Sequence, residues 1–267
     1  MKLLALLVFL TLHGNAQEAN QLGPLVLQAI RGLMEWQPRA QGYEYDYRSN
    51  EKKLASDGSE KENHSAWINF QFIDQRRWGM VKERDGVATT EEQRQTQRSK
   101  FLAFVATVNA LPEATRQKRK AEADKKRKEQ TEFLEELPNA FDFNVVERTK
   151  IGSREISVIE FTPRQGFKPT QMRSKLFTKI RGKMWLDAAE AQAAKLTADV
   201  FDDLSLGGFL ANLGKGTHFE FEQNRIDDSR WLPVRIYSRV MAKVLVFKSF
   251  NTEELETYAN FRKALQK

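Results

Sequence analysis

Apolar and polar positions alternate with a period of two along much of the chain, which predicts strands with one buried face. Tyr43, Tyr45 and Tyr47 alternate with Glu44, Asp46 and Arg48, placing three rings on one face. Ile68, Phe70 and Phe72 alternate with Trp67, Asn69 and Gln71 in a second strand, and Arg77 to Lys82 reads as a third. Asp57-Gly58 and Asp85-Gly86 are turn signals between them, so this part reads as an antiparallel meander. After Pro138 the pattern returns in Ile156 to Phe161, Lys183 to Asp187, Leu196 to Phe201 and Thr217 to Gln223. Asp227-Asp228-Ser229 reads as a turn, followed by strands over Trp231 to Ser238 and Val240 to Lys248. Leu204 to Leu213 reads as a short helix or an apolar loop ending at Gly214. At the C-terminus, Leu255, Tyr258, Phe261 and Leu265 fit a helix, while Tyr258 to Arg262 also fits an edge strand.

Two segments carry the helical period instead. Gly23-Pro24 opens the first, Val26, Ile30 and Leu33 form its apolar stripe, and Gln37-Pro38 closes it. The second runs from Thr90 to Ala110, with Thr90 and Gln93 spaced as a capping box and Phe101, Phe104, Val105 and Val108 on one face. Pro112 then starts a stretch without an apolar face: from Glu113 to Glu132 the only apolar residues are Ala114, Ala121 and Ala123. A helix there is solvent-exposed or partly disordered, anchored by Phe133, Leu134 and Leu137.

The first residues read as an address. Met1-Lys2 is positive, Leu3 to Leu12 is apolar apart from Thr11, and small residues follow at Gly14 and Ala16. This is the order of a secretory signal peptide cut after Ala16, and the run is too short for a membrane anchor. The expectation is therefore a signal segment over 1–16 and one domain over 17–267 with a charged helical insertion at 113–136, carried to an exported compartment and soluble after cleavage.

Charge sharpens this reading. Beyond Ala16 there are 42 Lys and Arg against 36 Asp and Glu. Arg116, Lys118, Arg119, Lys120, Lys125, Lys126, Arg127 and Lys128 are opposed in their stretch only by Glu122 and Asp124, which accounts for the whole excess. The basic character is thus one local feature: a solvated spacer helix, or a contact for an anionic membrane surface or an acidic envelope protein. Nucleic acid is a poor partner in an exported compartment.

Candidate chemistry is sparse. The absence of cysteine excludes disulfides, thiolate metal sites and cysteine nucleophiles. Three histidines leave little for a histidine metal site; His64 and His218 stand at polar positions near strands. Asp199, Asp202 and Asp203 lack calcium-loop spacing, and Gly208 to Gly216 lacks that of a phosphate loop. No catalytic constellation stands out, and no cofactor or metal is expected.

Several segments together resemble the outer-membrane lipoprotein-sorting group, the superfamily of the periplasmic carriers LolA and LolB. They are the signal segment, N-terminal helix and tyrosine strand with two Asp-Gly turns; Pro163-Arg164-Gln165-Gly166-Phe167-Lys168-Pro169; Gly182-Lys183-Met184-Trp185-Leu186-Asp187; Lys215-Gly216-Thr217; and Trp231-Leu232-Pro233. The resemblance implies an α+β fold: a strongly curved antiparallel sheet, an unclosed β-barrel, with helices covering its concave face. It implies a cavity for the acyl chains of lipid or lipoprotein. The chain departs from the small carriers in its length and in the charged insertion. On such a sheet Ile68, Phe70, Phe72, Met184, Leu186, Phe219 and Phe221 face inward and would line the ligand space, or else form ordinary packed core. The leading expectation is a non-catalytic lipid- or lipoprotein-binding protein of the envelope. The alternative is an envelope-stress sensor or protein-interaction module on the same fold.

Overall fold

The structure is a computed structural model and describes residues 22–73, 76–205, 212–227, 230–244 and 248–264. The expected signal segment 1–16 lies outside them. Helix α1 covers 22–34 and α2 Trp36–Arg39. Strands β1 (Tyr43–Leu54), β2 (Glu60–Ile73), β3 (Arg76–Arg84) and β4 (Val87–Ala88) follow as a meander. Then come α3 (Glu91–Asn109), α4 (Glu113–Thr131), a 3-10 turn (Glu132–Glu136) and α5 (Leu137–Ala140). The second half contains β5 (Phe141–Ile151), β6 (Arg154–Pro163), a 3-10 turn (Arg173–Thr178), β7 (Ile180–Asp187) and β8 (Gln192–Val200). The short strands β9 (Leu204–Ser205) and β10 (Asn212–Leu213) precede β11 (His218–Asp227), β12 (Arg230–Val244) and β13 (Lys248–Lys263).

The strands form one antiparallel sheet in the order β4-β3-β2-β1-β13-β12-β11-β8-β7-β6-β5, so its two edges, β4 and β5, do not meet and the barrel stays unclosed. Register shifts in the pairs β1–β13, β1–β2, β2–β3, β5–β6, β7–β8 and β11–β12 increase the local bend and twist of a sheet that curves around its helices. The Asp85-Gly86 turn has positive φ at both residues (48° and 76°), the mirror-type hairpin that suits strand twist.

Helix α1 buries Val26, Ala29 and Leu33, one face at three- and four-residue spacing, beside Leu134, Leu137 and Ala140 and over Phe141, Phe143, Ile159, Met184, Leu186 and Ala198. Each large apolar side chain removed from water here contributes about 1.5–3 kcal/mol. A second cluster joins Trp36 and Ala40 to Tyr45, Phe70, Leu232 and Tyr258, with Ile68, Phe72 and Phe261 half-buried against it. Tyr45 is fully buried there, among the rings of Trp36, Phe70, Phe72, Tyr258 and Phe261.

Four sequence readings change. The C-terminal residues form neither a helix nor an edge strand: β13 lies in the middle of the sheet between β1 and β12. Cross-strand partners such as Tyr47 beside Tyr258 decide this, and they are remote in sequence. The separate strands expected around Val240 are one continuous strand, β12. Leu204–Ser205 and Asn212–Leu213 pair as strands, and 206–211 lie outside the described residues. Helix α3 keeps its capping box but packs on the other face of the sheet edge. Its Phe101 and Phe104 meet Trp78, the neighbour of Gln71, whereas Gly79 stands beside Phe70.

Candidate functional site

Between α1 and the second half of the sheet lies a cavity of about 510 Å³. Val26, Ile30, Leu33 and Met34 of α1 and Trp36 of α2 line one side. Phe133, Leu134 and Leu137, which follow α4, close another. The sheet supplies Phe141 and Phe143 (β5), Phe161 (β6), Ile180 and Met184 (β7), Leu196 and Ala198 (β8), Phe219 and Phe221 (β11) and Ile236 (β12). Leu176 and Phe177 complete the wall, and Glu220 and Tyr237 are the polar residues among the lining. The volume lies in the range of small-molecule pockets, and the lining offers almost nothing but hydrocarbon and ring faces.

The register explains why one half of the sheet is hollow. Met184 pairs with Leu196, Leu196 with Phe221 and Phe221 with Ile236, giving a continuous apolar row across four strands. Ala198 and Gly182 are small neighbours in the same region. Of the inward residues expected from sequence, Met184, Phe219 and Phe221 line the cavity. Leu186 is fully buried in the adjoining core. Ile68, Phe70 and Phe72 belong to the second cluster, around Trp36 and Tyr45. Phe141 and Phe143 lie outside the strands expected from sequence, although they alternate with Asp142 and Asn144 just after Pro138. Leu176, Phe177 and Ile180 carry no periodic signal.

The motif residues hold the frame. A Cβ on Gly182 would overlap the Thr197 carbonyl oxygen and lie 2.7 Å from Phe161 Cζ, so only glycine lets β7, β8 and Phe161 approach as they do. The fully buried Asp187 accepts from Arg154, whose guanidinium also reaches Glu190 at 2.8 Å. Glu190 accepts from the Trp231 indole N–H, so the Gly-x-Met-Trp-Leu-Asp and Trp-Leu-Pro segments meet through one polar network. Arg164, after the end of β6, bonds Asp142 at 2.8 Å, and Gly216 takes positive φ in the turn before the buried Thr217.

Polar clusters elsewhere are mutually satisfied. His218 bonds Asp199 at 2.7 Å and Glu220 at 3.1 Å. Burial alone would lower its pKa, but the two carboxylates outweigh that and hold it above the ordinary histidine value. Glu220 is held below the usual carboxylate range, first by its bond from Arg235. His64 is exposed, 3.5 Å from Asp85 and 3.6 Å from Glu62. Asp202 pairs with Lys179, and Asp203 accepts from the Lys215 amide, so the three aspartates have different partners. Among the described residues no group of His, Asp and Glu could hold a metal ion.

Helix α4 separates its cations by face. Arg116, Arg119, Lys120 and Lys126 line a cleft with Arg76 of β3. Arg127 and Lys128 line a different hollow with Arg31, Glu35, Asp124, Glu132 and Glu135. Lys118 and Lys125 are exposed. No helix among the described residues is long and apolar enough to cross a membrane.

No protein-family model and no curated protein matches the chain. Solved structures do resemble it over most of its length. An outer membrane lipoprotein-sorting protein domain from Vibrio parahaemolyticus is 13% identical, with 89% of this chain and 94% of that one covered and a TM-score of 0.30. A DUF1329 family protein from Desulfovibrio piger is 9% identical, with coverage of 91% and 92% and a TM-score of 0.26. A LolA superfamily protein from Nitrosomonas europaea is 8% identical, with coverage of 90% and 94% and a TM-score of 0.25.

Proposed function

We propose that this chain is a non-catalytic protein of the cell envelope that binds the acyl chains of lipid or lipoprotein in the cavity between α1 and the sheet. The observation that carries the reading is the roughly 510 Å³ hollow lined by apolar side chains from nine helices and strands and two 3-10 turns. An acyl chain has no hydrogen-bonding groups to satisfy along its length, so such a lining suffices to bind it. Affinity follows from apolar area removed from water, at about 25 cal/mol per Å² before the cost of immobilising the chain. Export by the segment 1–16 would bring the protein to a compartment where lipids and lipoproteins cross between membranes.

The test fills the hollow. Leu196 is half-buried and lines the cavity between Met184 and Phe221. Leu196→Trp is expected to weaken binding of a fluorescent fatty-acid analogue by about tenfold, a change of 1.4 kcal/mol. Solvent extraction of the wild-type protein purified from membrane-containing lysate is expected to release lipid. A lipid-free extract combined with no binding of the analogue overturns the reading, and recovery of a membrane protein partner under those conditions would replace it with the interaction-module alternative.

A further inference from the structure

Helix α4 carries Arg116, Arg119, Lys120, Ala123 and Lys126 at successive spacings of three, one, three and three, which places them along one face. On that face Arg116 and Arg119 are half-buried, while Lys120, Ala123 and Lys126 are exposed at the rim. The face lines a cleft of about 290 Å³ together with Arg76, at the start of β3. Ala123 is the small residue among the long cations of this face. Five cations converge there and one carboxylate, Glu122, joins them.

The pairing on α4 is unequal. Arg127 bonds Asp124 at 3.0 Å, and Lys125 stands 3.9 Å from Glu129, but both pairs lie outside the cleft. Within it, Arg76, Arg119, Lys120 and Lys126 have no carboxylate partner among the described residues. Arg116 is held in place by its bonds to the carbonyl oxygens of Asn109 (2.9 Å) and Val108 (3.5 Å) at the end of α3, and its Nε is buried without a partner. Arg76 lies over the Phe104 ring at 5.9 Å. Two of the cations are therefore positioned by α3, while like charges along α4 repel one another.

We propose that this cleft is a binding site for a phosphate group. Guanidinium forks from two elements and ammonium groups beside them suit a tetrahedral anion with several acceptor oxygens and more than one charge. A carboxylate would engage fewer of these donors. The phosphate belongs either to a lipid headgroup at a membrane surface or to a free phosphorylated solute. Among the described residues none lines both the cleft and the apolar cavity, so they are separate sites and this inference stands independently of acyl-chain binding.

The experiment uses the chain without its signal segment at low ionic strength, with two probes. Tripolyphosphate is titrated calorimetrically, and phosphatidylcholine vesicles with and without phosphatidylglycerol are tested by co-sedimentation. The cleft variant is Arg76→Gln with Arg119→Gln; the charge-matched control is Lys118→Gln with Lys125→Gln on exposed positions. At least one probe is expected to bind wild type, about tenfold more weakly to the cleft variant and within about twofold to the control. Vesicle binding alone assigns the phosphate to a headgroup, and tripolyphosphate binding alone assigns it to a solute. Equal loss in both variants overturns the proposal in favour of a diffuse positive field, as does the failure of wild type to bind either probe. Should the cleft variant melt at a lower temperature than wild type, Lys120→Gln with Lys126→Gln repeats the comparison within the same cleft. Because neither probe enters through the fatty-acid readout, failure here leaves the cavity result untouched.

Discussion

Single residues set the spacing and the charge state of this sheet. Gly182 is the sharpest case, because its missing Cβ is the space that the Thr197 carbonyl oxygen and the Phe161 ring occupy. Gly182→Ala should therefore cost about 3 kcal/mol, seen as a lower denaturant midpoint. A midpoint unchanged from wild type would mean that β7 and β8 separate freely. His218 makes a second prediction, in pH. Its folded-state pKa is raised by Asp199 and Glu220, so folding favours the protonated ring. The resulting stabilisation is fully present below the unfolded histidine value, near 6.5, and is lost as pH rises through the folded value. Wild type should lose melting temperature over that interval relative to His218→Gln, measured side by side by circular dichroism. Parallel profiles would show that the two carboxylates do not hold the proton. Glu220, with a depressed pKa, contributes in the opposite direction: its stabilisation is lost as pH falls through its folded value.

Elements differ in how much of their placement comes from their own residues. The capping box of α3 and the positive-φ Asp-Gly turn after β3 were legible because caps and hairpin turns are decided by neighbours in sequence. The face on which α3 packs was not legible, since it depends on whether Trp78 or Phe70 points toward the helix. Strand β13 is the clearest example of an element placed by distant partners. It contributes Glu256, whose carboxylate accepts hydrogen bonds from the hydroxyls of Tyr47 at 2.8 Å and Tyr258 at 2.7 Å. It also supplies both neighbours that β1 and β12 need on that side. Deleting the chain from Lys248 onward should therefore abolish cooperative unfolding, because two strands in the middle of the sheet would lose their ladders together. A truncated chain that still melts in a single sharp transition would show that β1 and β12 can pair directly.

At the scale of the whole molecule, the pattern of residues determined the kinds of element and the sign of their surfaces. Period-two runs made strands, two stripes at helical spacing made α1 and α3, and the run without an apolar face made an exposed charged helix. These outcomes depend on the local energetics of burial and backbone geometry, which a short window of sequence contains. The sequence also marked Met184, Phe219 and Phe221 as inward-facing, because alternation assigns a side of the sheet. Only the tertiary structure decided which inward residues surround an empty volume and which fill one another's space. Ile68, Phe70 and Phe72 point inward as Met184 does, yet they meet Trp36, Tyr45 and Tyr258, while Met184 looks across a gap toward α1. Likewise, composition revealed a basic helix, but not that four of its cations turn toward Arg76. Hollow and cleft alike arise from distances between elements far apart in the chain, and those distances are set by the curvature of the sheet and by what packs across it.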